Sequence, residues 1–246
     1  MNNNISQAII LAAGFGKRML PLTKKIPKPL IKINNKPIIY YILEELRNNS
    51  IFTCYINVHY LPEKIIEYIK YYSKLHNYMN INIVKEKNIL DTGGGIKNIF
   101  NTNNNIKPTI VINGDSIIIS NQNTTPLKEL INNFNEKTMN FLLLLDDKTS
   151  SIGYTGTGDF KILKTNSPSI IQRSNVNSFA YTGWQIVNPV PIIKIKNKNF
   201  SLNYCYDKAI KNNLLWGIRN KNKWLHVGNK PSLLEATQWI NDNKDE

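Results

Sequence analysis

Residues 8–23 read AIILAAGFGKRMLPLT. A short apolar run, Ala8–Ala12, breaks into Gly14, Gly16, Lys17 and Arg18. The run is the right length for a fully buried strand. The glycines that follow let backbone N–H groups approach an anion, and the cations answer its charge. Arg18 stays ionised at any working pH and can grip a phosphate through two N–H groups. A Walker loop would need four residues between its glycines, then Lys and Ser or Thr. Here one residue separates the glycines. A dinucleotide fingerprint would need a third glycine where Met19 stands. Both common phosphate cradles are therefore excluded. A tight βα turn with solvated basic residues fits an isolated GxG equally well, so the stretch must be read with its neighbours.

Working outward, strand-like and helix-like segments alternate. Lys36–Asn48 carries Ile38, Ile39, Ile42, Leu43 and Leu46 at helical spacing. Phe52–Val58 reads as a strand, and Pro62–Lys74 as a helix with proline at its start. Ile81–Val84 is a strand, Gly95–Phe100 opens a short helix, and Thr109–Asn113 is a buried strand. Pro126–Phe134 reads as a helix and Phe141–Leu145 as a strand. This order predicts an α/β fold of Rossmann-like, three-layer α/β/α type with a mixed, mainly parallel central sheet. Past residue 150 the candidates are short strands: Asp159–Leu163, Ser169–Arg173, Phe179–Val187 and Leu214–Arg219. They add antiparallel structure, and a last helix starts near Asn229-Lys230-Pro231. One domain spanning 1–246 is expected, with lobes of roughly 1–145 and 146–240 and no internal repeat.

Three further features bear on the glycine loop. Lys28 lies in Pro27-Lys28-Pro29, where two prolines stiffen the chain that presents it. Asp91-Thr92-Gly93-Gly94-Gly95 is a second glycine cluster before a helix. Val111-Ile112-Asn113-Gly114-Asp115 ends a strand in a carboxylate, at the end of an open sheet where ligands bind. A carboxylate beside phosphate loops suggests Mg²⁺, which prefers oxygen ligands and substrate phosphates.

The 246 residues carry 31 Lys plus Arg against 17 Asp plus Glu, a net charge of +14. The lysines are scattered rather than gathered with aromatic residues, so no nucleic-acid partner is expected; an anionic small substrate accounts for the sign equally well. Two cysteines without a CxxC spacing suit a reducing compartment. No stretch approaches the roughly 20 apolar residues of a membrane helix, and a cytoplasmic protein is expected.

Leu11-Ala12-Ala13-Gly14-x-Gly16-x-Arg18-Met19-x-Pro21-Leu22-Thr23, followed by Pro27-Lys28-Pro29-Leu30, resembles the signature of sugar-phosphate nucleotidyltransferases. Asp91–Gly95, Asn113-Gly114-Asp115, Gly158-Asp159-Phe160, Thr182-Gly183 and Trp224-Leu225-His226-Val227-Gly228 continue it in order. The length and the TGGG element look most like the compact N-acetylmuramate-1-phosphate uridylyltransferase and mannose-1-phosphate guanylyltransferase-like branch. The resemblance implies a nucleotide-diphospho-sugar transferase fold and transfer of a nucleoside monophosphate from an NTP to a sugar-1-phosphate. UTP with N-acetylmuramate-1-phosphate, in cell-wall sugar recycling, is the favoured pair. Mannose-1-phosphate with GTP, phosphocholine with CTP, or a non-catalytic nucleotide-binding regulator are the alternatives. It implies Arg18 on the β- and γ-phosphates, Lys28 at the α-phosphate, and nucleotide contacts from Leu11, Ala13, Gly14 and Gly16. Glu86, Thr92 and Gly93 are expected near the base. Asn113, Gly158, Asp159 and Gly183 are expected on the sugar side, with Arg173 on the sugar phosphate. Asp115 would hold Mg²⁺. Most relatives place a second aspartate where His226 stands here, which weakens Mg²⁺ and favours Mn²⁺. A monomer or small homo-oligomer is implied.

Overall fold

The computed structural model describes residues 5–104, 106–121, 124–164, 167–176 and 178–243. Nine strands form one sheet. Its parallel half contains β1 (Gln7–Leu11), β4 (Thr53–Val58), β5 (Asn80–Lys85) and β6 (Thr109–Asn113). The remainder contains β8 (Phe141–Asp146), β9 (Phe160–Ile162), β10 (Ser169–Arg173), β11 (Ala180–Val187) and β12 (Leu215–Arg219). The order is β5-β4-β1-β6-β11-β8-β12-β10-β9. β11 runs antiparallel to both neighbours, while β12 is parallel to β8. Two small ribbons flank the sheet: β2 (Lys32–Ile33) with β3 (Lys36–Pro37), and β7 (Ser116–Ile119) with β13 (Lys223–His226).

Period-two alternation sorts the strand side chains into two cores. Ala8, Ile10, Ile110 and Ile112 enter one, together with Ile39, Leu43 and Leu46 of α1 (Ile38–Asn48) and Ile65 and Ile69 of α2 (Pro62–Leu75). Ile9, Val111, Leu143 and Leu145 enter the other, with Ile96, Ile99 and Phe100 of α3 (Asp91–Asn103). Ile192 of α5 (Val190–Ile193) and Cys205 and Ala209 of α6 (Asn203–Lys211) complete it. α4 (Pro126–Asn133) and α7 (Lys230–Asp242) pack into the first core. Every side chain of β8 is buried, so helices cover both faces of the sheet. α7 begins with a capping box: the Asn229 carboxamide accepts from Ser232 N at 3.0 Å, and the Ser232 hydroxyl accepts from Asn229 N at 3.0 Å.

The expected mixed sheet and three layers are present. Three details differ from the sequence reading. The helix expected from Gly95 begins at Asp91, because its glycines pack inside the fold rather than looping outside it. Lys36 and Pro37 belong to a ribbon, and α1 starts after them. Finally, β7, β13, α5 and α6 have no counterpart in the sequence reading. None of the described helices is long and apolar enough to cross a membrane.

Candidate active site

The carboxyl ends of β1, β4 and β6 meet at one edge. Beyond β1 the chain turns through Gly16, which sits in the left-handed region at φ 64° and starts a 3₁₀ turn over Lys17–Met19. Its carbonyl accepts from Met19 N at 2.9 Å and from the Thr23 hydroxyl at 3.0 Å. A Cβ on Gly16 would meet Thr23 Cγ2 at 2.8 Å, so the loop is closed against its own continuation. Gly14 has nothing within 4 Å of a Cβ position and is exposed. The loop thus presents open backbone at Gly14 and exposed Lys17 and Arg18 beside it.

Lys28 starts another 3₁₀ turn and is buried. Its Nζ donates to Asp115 Oδ2 at 2.6 Å and reaches the Gly228 carbonyl at 3.5 Å. Asp115 lies in the turn between β6 and β7. Burial acts to raise its pKa, but the Lys28 ammonium outweighs this and holds the carboxyl below its ordinary range. β13 pairs His226 with Ser116, the residue after Asp115, and Val227 N donates to the Asp115 carbonyl at 3.3 Å. The His226 ring lies against Tyr154 and Trp224 and fills the space that a Cβ on Gly228 would take. Burial lowers the His226 pKa; the Asp115 carboxylate opposes that without reversing it.

Behind the loop, Asn57 at the end of β4 accepts from Ala12 N at 2.9 Å and donates to Glu86 Oε1 at 2.7 Å. Glu86 Oε2 accepts from Leu90 N at 3.2 Å. A Cβ on Gly95 would lie 2.7 Å from Asn57 Nδ2 and 2.8 Å from Glu86 Oε1, so that glycine makes room for the pair. Gly93 and Gly94 have a different cause. A Cβ on Gly93 would meet the Phe200 ring at 2.3 Å, and one on Gly94 the Lys198 carbonyl at 2.2 Å.

Two cavities of about 390 Å³ each open along this edge. The first is lined by residues 11–14 and by Arg18, Lys28, Glu86 and Asp115, among others. The second is lined by Asp159, Arg173, Tyr181, Gln185, Asn203 and Tyr206, among others. Leu11, Asp91, Thr92 and Asn113 line both.

Of the residues expected at a site, Leu11, Ala13, Gly14, Gly16, Arg18, Lys28, Glu86, Thr92 and Asp115 converge on the first cavity. Asn113 stands between the two, and Asp159 and Arg173 line the second. Three of the expected glycines do not line a cavity. Gly93 lies under Phe200 rather than on a cavity wall. Gly158 (φ 95°) packs against Ser178, and Gly183 (φ 87°) against Asn113; both shape the second cavity without lining it. Arg173 lines the second cavity together with Asn113, which the first cavity shares. Asn57, Lys17 and Asp91 are cavity residues the sequence reading missed. Asn57 carried a signal: like Asn113, it is a polar residue near the end of an apolar strand.

Among the described residues, no three His, Cys, Asp or Glu side chains converge as a metal site. Asp115 lines the first cavity; His226 is near enough for the two charges to act on each other but lines neither cavity. That donor set fits a divalent cation that keeps substrate-phosphate and water ligands, rather than one enclosed by protein.

The open-backbone loop, the buried lysine and its carboxylate therefore border two adjoining cavities at one sheet edge. The chain belongs to the Nucleotidyl transferase family, whose pattern it matches over residues 7–243. It is 28% identical to the N-acetylmuramate alpha-1-phosphate uridylyltransferase of Caulobacter vibrioides over 230 residues, 93% of this chain and 94% of the relative. It is 27% identical to a mannose-1-phosphate guanyltransferase of Hypocrea jecorina over 241 residues, 94% of this chain and 63% of that one. Its fold resembles that of HddC from Yersinia pseudotuberculosis complexed with GMP-PN, with TM-score 0.76 and 19% identity over 96% of this chain and all of that one. It also resembles a UDP-glucose pyrophosphorylase complexed with UDP-glucose, with TM-score 0.77 and 18% identity over 97% of this chain and 99% of that one.

Proposed function

We propose that this nucleotidyltransferase transfers the nucleoside monophosphate of UTP to N-acetylmuramate-1-phosphate, releasing pyrophosphate, and works in the cytoplasm. The observation that carries the reading is the shared wall of the two cavities at Leu11, Asp91, Thr92 and Asn113, beside the Lys28–Asp115 pair. A nucleoside triphosphate in the first cavity and a sugar phosphate in the second would meet there.

An oxygen of the sugar phosphate attacks the α-phosphorus. The bond from the α-phosphorus to the bridging oxygen of the β-phosphate breaks, and pyrophosphate leaves with the electron pair. The nucleophile arrives ionised, so no protein base is needed. The central problem is repulsion between two anions, which the protein meets by positioning and charge. Lys28 exchanges Asp115 for an α-phosphate oxygen. Arg18 neutralises the β- and γ-phosphates and the departing pyrophosphate. N–H groups at residues 13–16 bind phosphate oxygens, while Asn57 fixes the Ala12 end of that loop. Glu86 and Thr92 lie on the base side. Asp115 and His226 would hold Mg²⁺ or Mn²⁺, which supplies charge neutralisation and polarises phosphorus when bound. The lowered pKa of His226 keeps its imidazole neutral and able to ligate.

The test is pyrophosphate release across a matrix of NTPs and sugar-1-phosphates, with Mg²⁺ and with Mn²⁺. Turnover highest with UTP and N-acetylmuramate-1-phosphate supports the pair. A maximum with GTP and mannose-1-phosphate would replace it, and no turnover with any pair would overturn transfer altogether.

A further inference from the structure

The chain carries no Asp or Glu before Glu44, yet seven of its Lys and Arg fall in that stretch. Scattered over the chain as a whole, the lysines are unopposed in sequence here. Within the stretch, Phe15, Leu20, Leu22 and Ile26 are large apolar side chains, each 39–46% exposed. Lys24 and Lys25 stand exposed between the last two, and neither makes a side-chain hydrogen bond or ion pair among the described residues. The pattern has a simple cause. Met19, Thr23 and Pro27 are buried, and the three residues between each pair are all exposed.

The backbone beneath these side chains is fixed. Thr23 is fully buried; its hydroxyl donates to the Gly16 carbonyl at 3.0 Å, and its carbonyl accepts from the Tyr60 hydroxyl at 2.8 Å. The Phe15 and Tyr60 ring centroids are 5.6 Å apart, so Tyr60 joins Phe15 to the turn that carries Leu22 and Lys24. Glu63, three residues past Tyr60, is engaged by Lys85 at 3.1 Å. Single exposed apolar residues need no explanation, but four on one short segment among unpaired cations do.

We propose that residues 15–26 form a docking surface for an anionic lipid bilayer. The charge complements lipid phosphates, and the apolar side chains enter the boundary between headgroups and acyl chains. Lysine stems lie along that boundary while their ammonium groups reach the phosphates. Stable attachment to a bilayer needs two signals, and this segment carries both a basic and an apolar one. A nucleic acid would answer the lysines and leave Leu20, Leu22 and Ile26 in water. This inference is independent of the transfer reading.

The test is co-sedimentation of the full chain with vesicles of phosphatidylcholine and phosphatidylglycerol in equal parts, and with phosphatidylcholine alone. The native protein is expected to bind the mixed vesicles only, and less as salt is raised. Lys24→Gln with Lys25→Gln is expected to weaken binding about 30-fold, at about fivefold per lysine. Leu22→Gln with Ile26→Gln is expected to weaken it about tenfold. Lys137→Gln with Lys211→Gln makes the same charge change ahead of β8 and β12, at the opposite edge of the sheet, and should cost less than about threefold. Unchanged thermal unfolding checks that each pair of substitutions leaves the fold intact. No binding to the mixed vesicles overturns the proposal. So does equal loss from the Lys137 and Lys211 pair, which would make binding a matter of net charge. Tighter binding of a short DNA duplex at the same salt, lost in the Lys24 and Lys25 pair but kept in the Leu22 and Ile26 pair, would assign the patch to nucleic acid instead.

Discussion

The Lys28–Asp115 pair gives a prediction that needs no substrate. The two atoms are 2.6 Å apart, with 10% of the lysine and 26% of the aspartate side chain exposed. Exposed ion pairs contribute about 0–1 kcal/mol, whereas breaking a fully buried pair costs about 3–5 kcal/mol. A pair with one partner a quarter exposed falls between, so Lys28→Met is expected to cost about 2 kcal/mol. For a chain of this size that lowers Tm by about 4–8 °C. Asp115→Asn leaves the ammonium with the Gly228 carbonyl alone and is expected to cost a similar amount. The double variant removes both charges, so it should be less destabilised than the sum of the singles by about 1.5–2 kcal/mol. The assay is calorimetric or denaturant unfolding of all four proteins without metal or nucleotide. Because the folded Asp115 pKa is depressed, its contribution is complete above the ordinary value near 4 and fades as pH falls through the lower folded value. The gap between native protein and Lys28→Met should therefore narrow in strong acid. Additive single costs, with coupling under about 0.5 kcal/mol, would refute the reasoning and leave the contact without energetic weight.

The exposed Arg18 guanidinium makes no hydrogen bond or ion pair among the described residues, so Arg18→Gln should leave Tm within about 1 °C. The same change should lower kcat about 10²- to 10³-fold in a pyrophosphate assay. Gly16→Ala forces a side chain into φ 64° against Thr23 Cγ2, costing about 1–2 kcal/mol and raising the KM for NTP. Thr23→Ser, which removes that methyl group but keeps the hydroxyl, should restore part of the loss in the same titration. Buried Glu45 has its pKa raised by burial, against hydrogen bonds from Ser120 and Asn49. The native fold thus loses stability as pH rises from about 4.5 through the raised folded value. Glu45→Gln should flatten that limb and melt higher than native protein at pH 8, with no gain at pH 4, as read by thermal scans. His226→Asp should lower the Mg²⁺ concentration for half-maximal rate, because a carboxylate is a harder, charged ligand than imidazole; an unchanged midpoint would remove His226 from the metal site.

The parallel half of the sheet was legible because its central strands β1 and β6 are apolar on both faces and its helices carry one stripe each. Lys28 and Asp115 were legible because proline stiffening and a strand-end carboxylate are local signals. The second half was harder. β7 and β13 form a ribbon only because residues about a hundred positions apart pair, as Ser116 does with His226. Nothing in either segment alone specifies the partner. The triple glycine shows the same limit. Its position was plain, but its causes are Phe200, the Lys198 carbonyl and the Asn57–Glu86 pair, of which only Glu86 is near in sequence. Periodicity reports which face is buried and not against what, so Gly93 looked like ligand-facing backbone when it is packing.

The reversal of β11 explains why the two cavities adjoin. β1, β4 and β6 run in parallel, so their carboxyl ends bring Leu11, Asn57 and Asn113 to one edge. A further parallel strand would add its own carboxyl end there, followed by a crossover helix. β11 instead runs antiparallel beside β6, so its amino-terminal end reaches that edge. The register Trp184↔Ile112 sets Gly183 against Asn113, where the absence of a side chain lets the strands close. Tyr181 and the Phe179–Phe160 bridge then extend past the end of β6 and carry Asp159 and Arg173 with them. A side chain at Gly183 would collide with Asn113 Nδ2 at 2.8 Å in a backbone conformation that disfavours L-residues. Gly183→Val is therefore expected to disturb the junction between the cavities more than either cavity alone. The expected result is a raised KM for the sugar phosphate with nucleotide binding, read by calorimetry, weakened less than about threefold. Equal loss of both would mean that the strand reversal supports the whole edge rather than its sugar side.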